Sequence, residues 1–259
     1  MAIAKSFINL KGTIYNTTFR RGIGSKVIAG QKSSLDAAQV KTSAAFANTR
    51  LNNAEFATSA HAGDLFRGIA ALRRAFHESR LLIPHLVRMG IAVLRQDVTN
   101  PWGLRTVANG IAVGPINYNK MDYNEDAPLP SVIQCPFTVT VDRVAGTATT
   151  NIPSFVPNAF LVPPAGLPYS ALKFQLFVFT GEMDFDNGFA IEDGQITAVL
   201  PWDGAGTAII NFIDTFTAAS VLPVVTSLGI NWWLTVSGVD TLLRNKSNNA
   251  MRIVNVDTV

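Results

Sequence analysis

From residue 131 onward apolar and polar positions alternate in short runs. Phe137, Val139 and Val141 interleave with Thr138, Thr140 and Asp142, the period-two pattern of a strand with one buried face. Gly146 supplies a turn before a second run at 147–150, and Pro153, Pro157, Pro163, Pro164 and Pro168 mark a long loop. Further strands are predicted at 172–180, 195–200, 207–212, 230–236 and 251–256. Six to eight short strands separated by Gly, Pro and Asp turns predict an antiparallel β-sandwich over residues 113–259.

The period changes upstream. Residues 33–98 read as helical, with capping-box spacing at Ser33–Asp36 and again at Asn52–Glu55. Leu65, Ile69, Leu72 and Phe76 form one apolar stripe. Pro84 suits the first turn of a further helix, whose stripe reads Val87, Ile91, Leu94 and Val98. Residues 99–130, with Pro101, Gly103, Gly110, Gly114 and Pro128, form a crossing segment. Before all of this, strand-like pieces flank Tyr15-Asn16, and Gly22, Gly24 and Gly30 punctuate the rest. The predicted fold class is therefore α+β: a basic N-terminal β-arm (1–34), a short helical segment with its linker (35–112) and a C-terminal antiparallel β-sandwich (113–259). An arm with no core of its own must pair with its sandwich or with a neighbouring subunit.

Charge sharpens this division. Residues 1–105 carry fifteen Lys/Arg and five Asp/Glu, a net +10, whereas the remaining 154 carry six and thirteen, a net −7. A positive front and a negative back are an argument about partners, either a polyanion or another copy of the chain. Charged residues make up only 15% and hydrophobic ones 48%. That composition favours a large core or surface hidden in an assembly. A single cysteine, Cys135, excludes an intramolecular disulfide framework, and the first residues lack the apolar core of a signal peptide. Both fit synthesis in the cytoplasm. No charge occurs between Asp214 and Asp240, but Pro223, Gly229 and the alternation from Ile230 to Ser237 indicate buried β-structure, so no membrane partner is expected.

Candidate chemistry is sparse. His61, His77 and His85 share no metal-ligand spacing with a nearby Cys, Asp or Glu, and no G-x-S-x-G elbow is present. Gly22-Ile-Gly-Ser-Lys26 lacks the order of a phosphate loop. Glu182, Asp184 and Asp186 would share one face of a strand and form an acidic face for a partner. With Glu192 and Asp193 they are also the best oxygen donors for a Ca²⁺ ion, although the EF-hand spacing is not met. Arg67 and Arg74, and then Arg88 and Arg95, stand seven apart and line helix faces with Arg73 and Arg80 beside the first pair. Such faces are solvated, contact phosphate, or dock onto the acidic half of a neighbouring copy. No catalytic, cofactor or metal residue is assigned.

Three stretches carry a resemblance: Leu10-Lys-Gly-Thr-Ile-Tyr-Asn-Thr-Thr-Phe-Arg, Phe46-Ala-Asn-Thr-Arg-Leu-Asn-Asn-Ala-Glu-Phe and Leu228-Gly-Ile-Asn-Trp-Trp. Their order resembles a group of uncharacterised Bacteroidota proteins with a K-G-T-I-x-x-x-x-F opening and an R-x-x-x-x-E-F helix. Here Phe19-Arg20-Arg21 stands where that group often has an aromatic and Lys. The resemblance implies a shared architecture, and it brings neither an activity nor catalytic residues.

These readings favour a non-enzymatic structural subunit that self-assembles into a large regular particle (a phage-like virion, a shell or a filament) through strand exchange and charge complementarity. The assembly or polyanion contacts would be Lys11, Phe19, Arg20, Arg21, Arg67, Arg74, Arg88 and Arg95, against Glu182, Asp184 and Asp186. The partner would be another copy of the chain, with nucleic acid or another structural protein as alternatives, and no cofactor. Two other readings stay open. One is a β-sandwich binding module for glycans or proteins, using Trp202, Trp232, Trp233 and the acidic loops. The other is an enzyme using the carboxylates of 182–193.

Overall fold

A computed structural model describes residues 2–4, 11–22, 27–32, 37–68, 79–114, 118, 120–185, 187–244 and 249–259, at 2–4 and 189–190 for the backbone only. The chain divides into two compact units, 1–51 and 52–259. In the first, β1 (Ala2–Ala4), β2 (Gly12–Ile14), β3 (Thr17–Arg21) and β4 (Val27–Gln31) form an antiparallel sheet in the order β1-β4-β3-β2. Helix α1 (Ala37–Thr42) follows. The expected capping signal at Ser33–Asp36 lies outside the described residues, as do Gly24 and Lys26.

The second unit is organised by two long strands. β7 (Leu172–Asp184) and β11 (Val224–Val236) pair antiparallel from Val224 opposite Glu182 to Leu234 opposite Leu172. Shorter strands complete the lanes outside them. β13 (Ala250–Asp257) and β12 (Val239–Leu242) flank β11, and β8 (Phe189–Ile196) and β9 (Leu200–Pro201) flank β7. A second sheet, in the order β10-β6-β5, joins β10 (Ile210–Thr215), β6 (Thr147–Ile152) and β5 (Thr138–Asp142).

The large sheet is buried on both faces, which gives the α+β sandwich a third layer. Phe174, Leu176, Val178, Leu228, Ile230 and Trp232 share one core with Ile152, Phe155 and Phe212. From the opposite face Phe177, Met183, Val225, Met251 and Ile253 join a helical core. This corrects the expectation of one buried face at 230–236. The strand starts at Val224, and every residue from there to Trp232 is buried. Because the helices and the sheet share a core, the boundary expected at 112/113 falls inside one unit.

Two other strands differ from expectation, each for a local reason. The run at 195–200 breaks after Ile196, where Thr197 turns back onto β7. Its N–H donates to Leu176 O at 2.9 Å, and its Oγ1 accepts from Leu176 N–H at 3.0 Å. The run at 207–212 starts only at Ile210, because Thr207 bonds Phe155 through both its N–H (2.8 Å) and its Oγ1 (3.2 Å).

The helical layer is α2 (Ala47–Gly68), α3 (Leu82–Leu94) and α4 (Val107–Val113). Pro84 does sit in the first turn of α3, where its missing N–H costs nothing. α3 packs through small residues. A Cβ on Gly90 would lie 2.8 Å from Tyr118 Oη and 3.0 Å from Ser59 O of α2, and one on Gly110 of α4 would lie 2.1 Å from Val93 O. Residues 69–78, with the expected stripe residues Ile69, Leu72 and Phe76, lie outside the described residues.

Glu55 corrects a second expectation. It lies within α2, not at a helix start, and its buried carboxylate holds the loop before α4. Oε1 accepts from Gly103 N–H at 2.9 Å and from Arg105 Nε at 2.8 Å. The same loop closes on Asp97. Burial alone would raise its pKa, but Asn100 Nδ2 and the N–H groups of Thr106, Thr99 and Asn100 all donate to it. These bonds hold the carboxyl far below the usual range. Replacing Glu55 with Ala leaves Arg105 and Gly103 N–H without an acceptor, and is expected to cost about 2–4 kcal/mol. Thermal denaturation checks this, and a change within about 0.5 kcal/mol would show the pair to be merely a solvated surface contact.

Candidate interaction surfaces

Helix α3 is apolar on two adjoining faces. Leu82, Leu86, Gly90, Val93 and Leu94 turn inward. Ile83, Val87 and Ile91, at i, i+4 and i+8, turn out and line an open groove with Phe56 of α2, Pro84, Ala92, Arg88 and Arg95. The groove has a volume of about 610 Å³, and its apolar wall is in water: Phe56 is 56% and Ile83 44% exposed. The buried face of α3 therefore lies to one side of the expected stripe Val87–Ile91–Leu94–Val98. Only Leu94 of it is buried, and Val98, beyond the helix end, is 88% exposed. Arg88 and Arg95 do share a face, and among the described residues neither has a carboxylate partner.

A second concavity, of about 490 Å³, adjoins the groove at Arg88 and is lined by His85, Met89, Met121, Asp122, Glu125 and Pro128. His85 Nδ1 lies 2.5 Å from Glu125 Oε1, so this histidine is locally bonded. Burial raises the Asp122 carboxyl, against the Leu129 N–H donated at 2.8 Å and the charge of Arg252. Forty residues separate His85 from Glu125, so no local pattern announces the pair. Among the described residues no serine or cysteine nucleophile lines this pocket.

The other expected contact residues are dispersed. Lys11, Arg20 and Arg21 are exposed in the N-terminal sheet, and Phe19 is half-buried there opposite Gly12 and Ala29. Arg67 is half-buried in the last turn of α2 and has a partner. Arg73, Arg74 and Asp186 lie outside the described residues.

The acidic face needs correction at Glu182, which is buried. Its carboxylate accepts from Ser220 Oγ at 2.5 Å and Thr217 N–H at 3.1 Å. Burial opposes ionisation, but Ser220, Thr217 and the Arg143 charge outweigh it and lower the pKa. Arg143 secures the same loop, donating to Ser220 O and Leu222 O and pairing with Asp257 at 2.6 Å. Asp184 accepts from its neighbour Asn187. The tryptophans do not converge on one site either. Trp232 is core, and Trp202 donates to Leu161 O and faces Tyr169 at 4.9 Å. Among the described residues no three His, Cys, Asp or Glu side chains are grouped to hold a metal, and no helix is long and apolar enough to cross a membrane.

In the sequence Asp214 stands out only as the start of an uncharged run. It is fully buried where β10 meets β7, and Thr180 Oγ1 donates to its Oδ2 at 2.8 Å. Burial pushes its pKa up to about 7, with the Asp193 charge adding and the Thr180 bond opposing. This chain matches no known protein family, no curated protein and no solved structure.

Asp214 has a consequence for stability. Between its ordinary value of 3.8 and about 7 the native state holds the proton more tightly than the unfolded chain. Stability from this group is thus full below 3.8 and falls as pH rises from there to about 7, by on the order of 4 kcal/mol at about 1.4 kcal/mol per unit. Asp214→Asn is expected to flatten that decline and raise the melting temperature above pH 7. Identical melting profiles for the two proteins from pH 4 to 8 would show that ionisation carries no cost at this position.

Proposed function

We propose that the protein is a non-enzymatic structural subunit that assembles with other copies of itself into a large regular particle, through the N-terminal sheet. The observation that carries this reading is how little that sheet buries. Of its described side chains Val27 alone is buried, and all of β2 is exposed. Ordering a strand residue costs roughly 1–2 kcal/mol of backbone entropy, and burying one valine returns only about 1.5–3 kcal/mol. Sixteen strand residues therefore need burial from elsewhere.

A second copy supplies it economically. β1 pairs only with β4 and β2 only with β3 among the described residues, so each has an open edge for strand addition. The hairpin between β2 and β3 presents Tyr15, 94% exposed and at a φ of 50°, a conformation costly for a bulky residue. A strained, exposed aromatic at a hairpin tip suits an anchor in a partner's surface. On this reading the chain is made in the cytoplasm and ends in the assembled particle. Cross-linking through Cys135 plays no part, since burial pushes its thiol up to about 11.

Light scattering across a salt series tests the proposal. Full-length protein should associate even at several hundred millimolar salt, where the Debye length is only about 5 Å. Protein lacking residues 1–34 should stay monomeric throughout. Tyr15→Gly should relieve the turn while weakening association. Association that vanishes at moderate salt, or that persists without the arm, would remove the sheet as the driving contact.

A further inference from the structure

The α2–α3 groove stands whether or not the N-terminal sheet drives assembly. Its floor is Phe56, Ile83, Val87 and Ile91, and its cations are Arg88 and Arg95, both exposed and without a carboxylate partner among the described residues. An apolar concavity with charge of one sign on its rim lacks an occupant of opposite charge and apolar face.

Three occupants fit poorly. A second copy docking the same face about a two-fold axis would bring Arg88 and Arg95 onto their own equivalents. Nucleic acid would set phosphates over an apolar floor, and the two cations among the described lining residues are few for a phosphate track. A bilayer surface is flat and does not fill a concave trough. An amphipathic helix does, because it is convex, and it lays apolar residues at i, i+3, i+4 and i+7 into such grooves. Arg88 and Arg95 are seven residues apart, about 10.5 Å along the helix at 1.5 Å per residue, so carboxylates two turns apart on the partner would meet both.

We propose that this groove binds an acidic amphipathic helix of another protein chain, with its apolar stripe on Phe56, Val87 and Ile91 and its carboxylates on Arg88 and Arg95.

The test uses full-length protein and a labelled helical peptide with a leucine stripe and glutamates seven residues apart, beside the same peptide carrying lysines. Fluorescence anisotropy is expected to show saturable binding of the glutamate peptide and at least roughly tenfold weaker binding of the lysine peptide, a gap of about 1.4 kcal/mol. Arg88→Glu with Arg95→Glu should invert that preference while leaving the melting temperature and the light-scattering behaviour unchanged. Ile91→Ser should weaken both pairings. Equal affinity for the two peptides, no saturable binding up to millimolar peptide, or tighter binding of duplex DNA or of phosphatidylglycerol vesicles through the same arginines would each overturn the proposal.

Discussion

Strands β7 and β11 are paired over most of their length and buried on both faces, and the rest of residues 52–259 is arranged around that burial. A sheet that hides both faces needs two covering layers. The three-stranded sheet supplies one, and helices α2, α3 and α4 supply the other. The central strands accordingly read as apolar runs interrupted by small polar residues such as Thr180, Thr226 and Ser227, all buried. Register matters here more than elsewhere, because a slip of one residue would exchange the two cores. β13 stays in step through a bulge opposite Thr226 and Ser227. Met251, Ile253 and Val256 can then share the helical side even though their spacing is not strictly two.

The carboxylates show how that packing reassigns charge. Glu55 and Glu182 look like surface acids in the sequence, and both are spent on loops, at 103–105 and 217–220. Asp97 is stabilised as an anion by donors from its own loop, whereas Asp214 has one hydroxyl donor and an acid for a neighbour. The contrast follows from donor number, since a buried carboxyl ionises readily only where several N–H groups converge. The negative half of the chain therefore offers a partner fewer free acids than its composition suggests.

Two of the places where large apolar side chains stay exposed are the N-terminal sheet, with Ile14 and Tyr15, and the outer face of α3, with Ile83. Both carry apolar side chains next to exposed arginines. Partly covered apolar surface beside cations is costly to leave in water, which is why each supports a reading in terms of partners and not of chemistry.

Periodicity and turn chemistry along the chain suffice for the α+β class, the antiparallel strands after residue 131, the hairpin around Tyr15, the first-turn place of Pro84 and the shared face of Arg88 and Arg95. Each of these is encoded within a few residues, by period or by turn chemistry. Which face of α3 is core depends on packing between elements. Its two apolar stripes are equivalent along the helix, and the close approach at Gly90 and Gly110 selects one. The same packing covers β11 twice, turns Glu182 inward, and joins His85 to Glu125 and Thr180 to Asp214. Those partners lie tens of residues apart, and only the packing of layers brings them within hydrogen-bond distance.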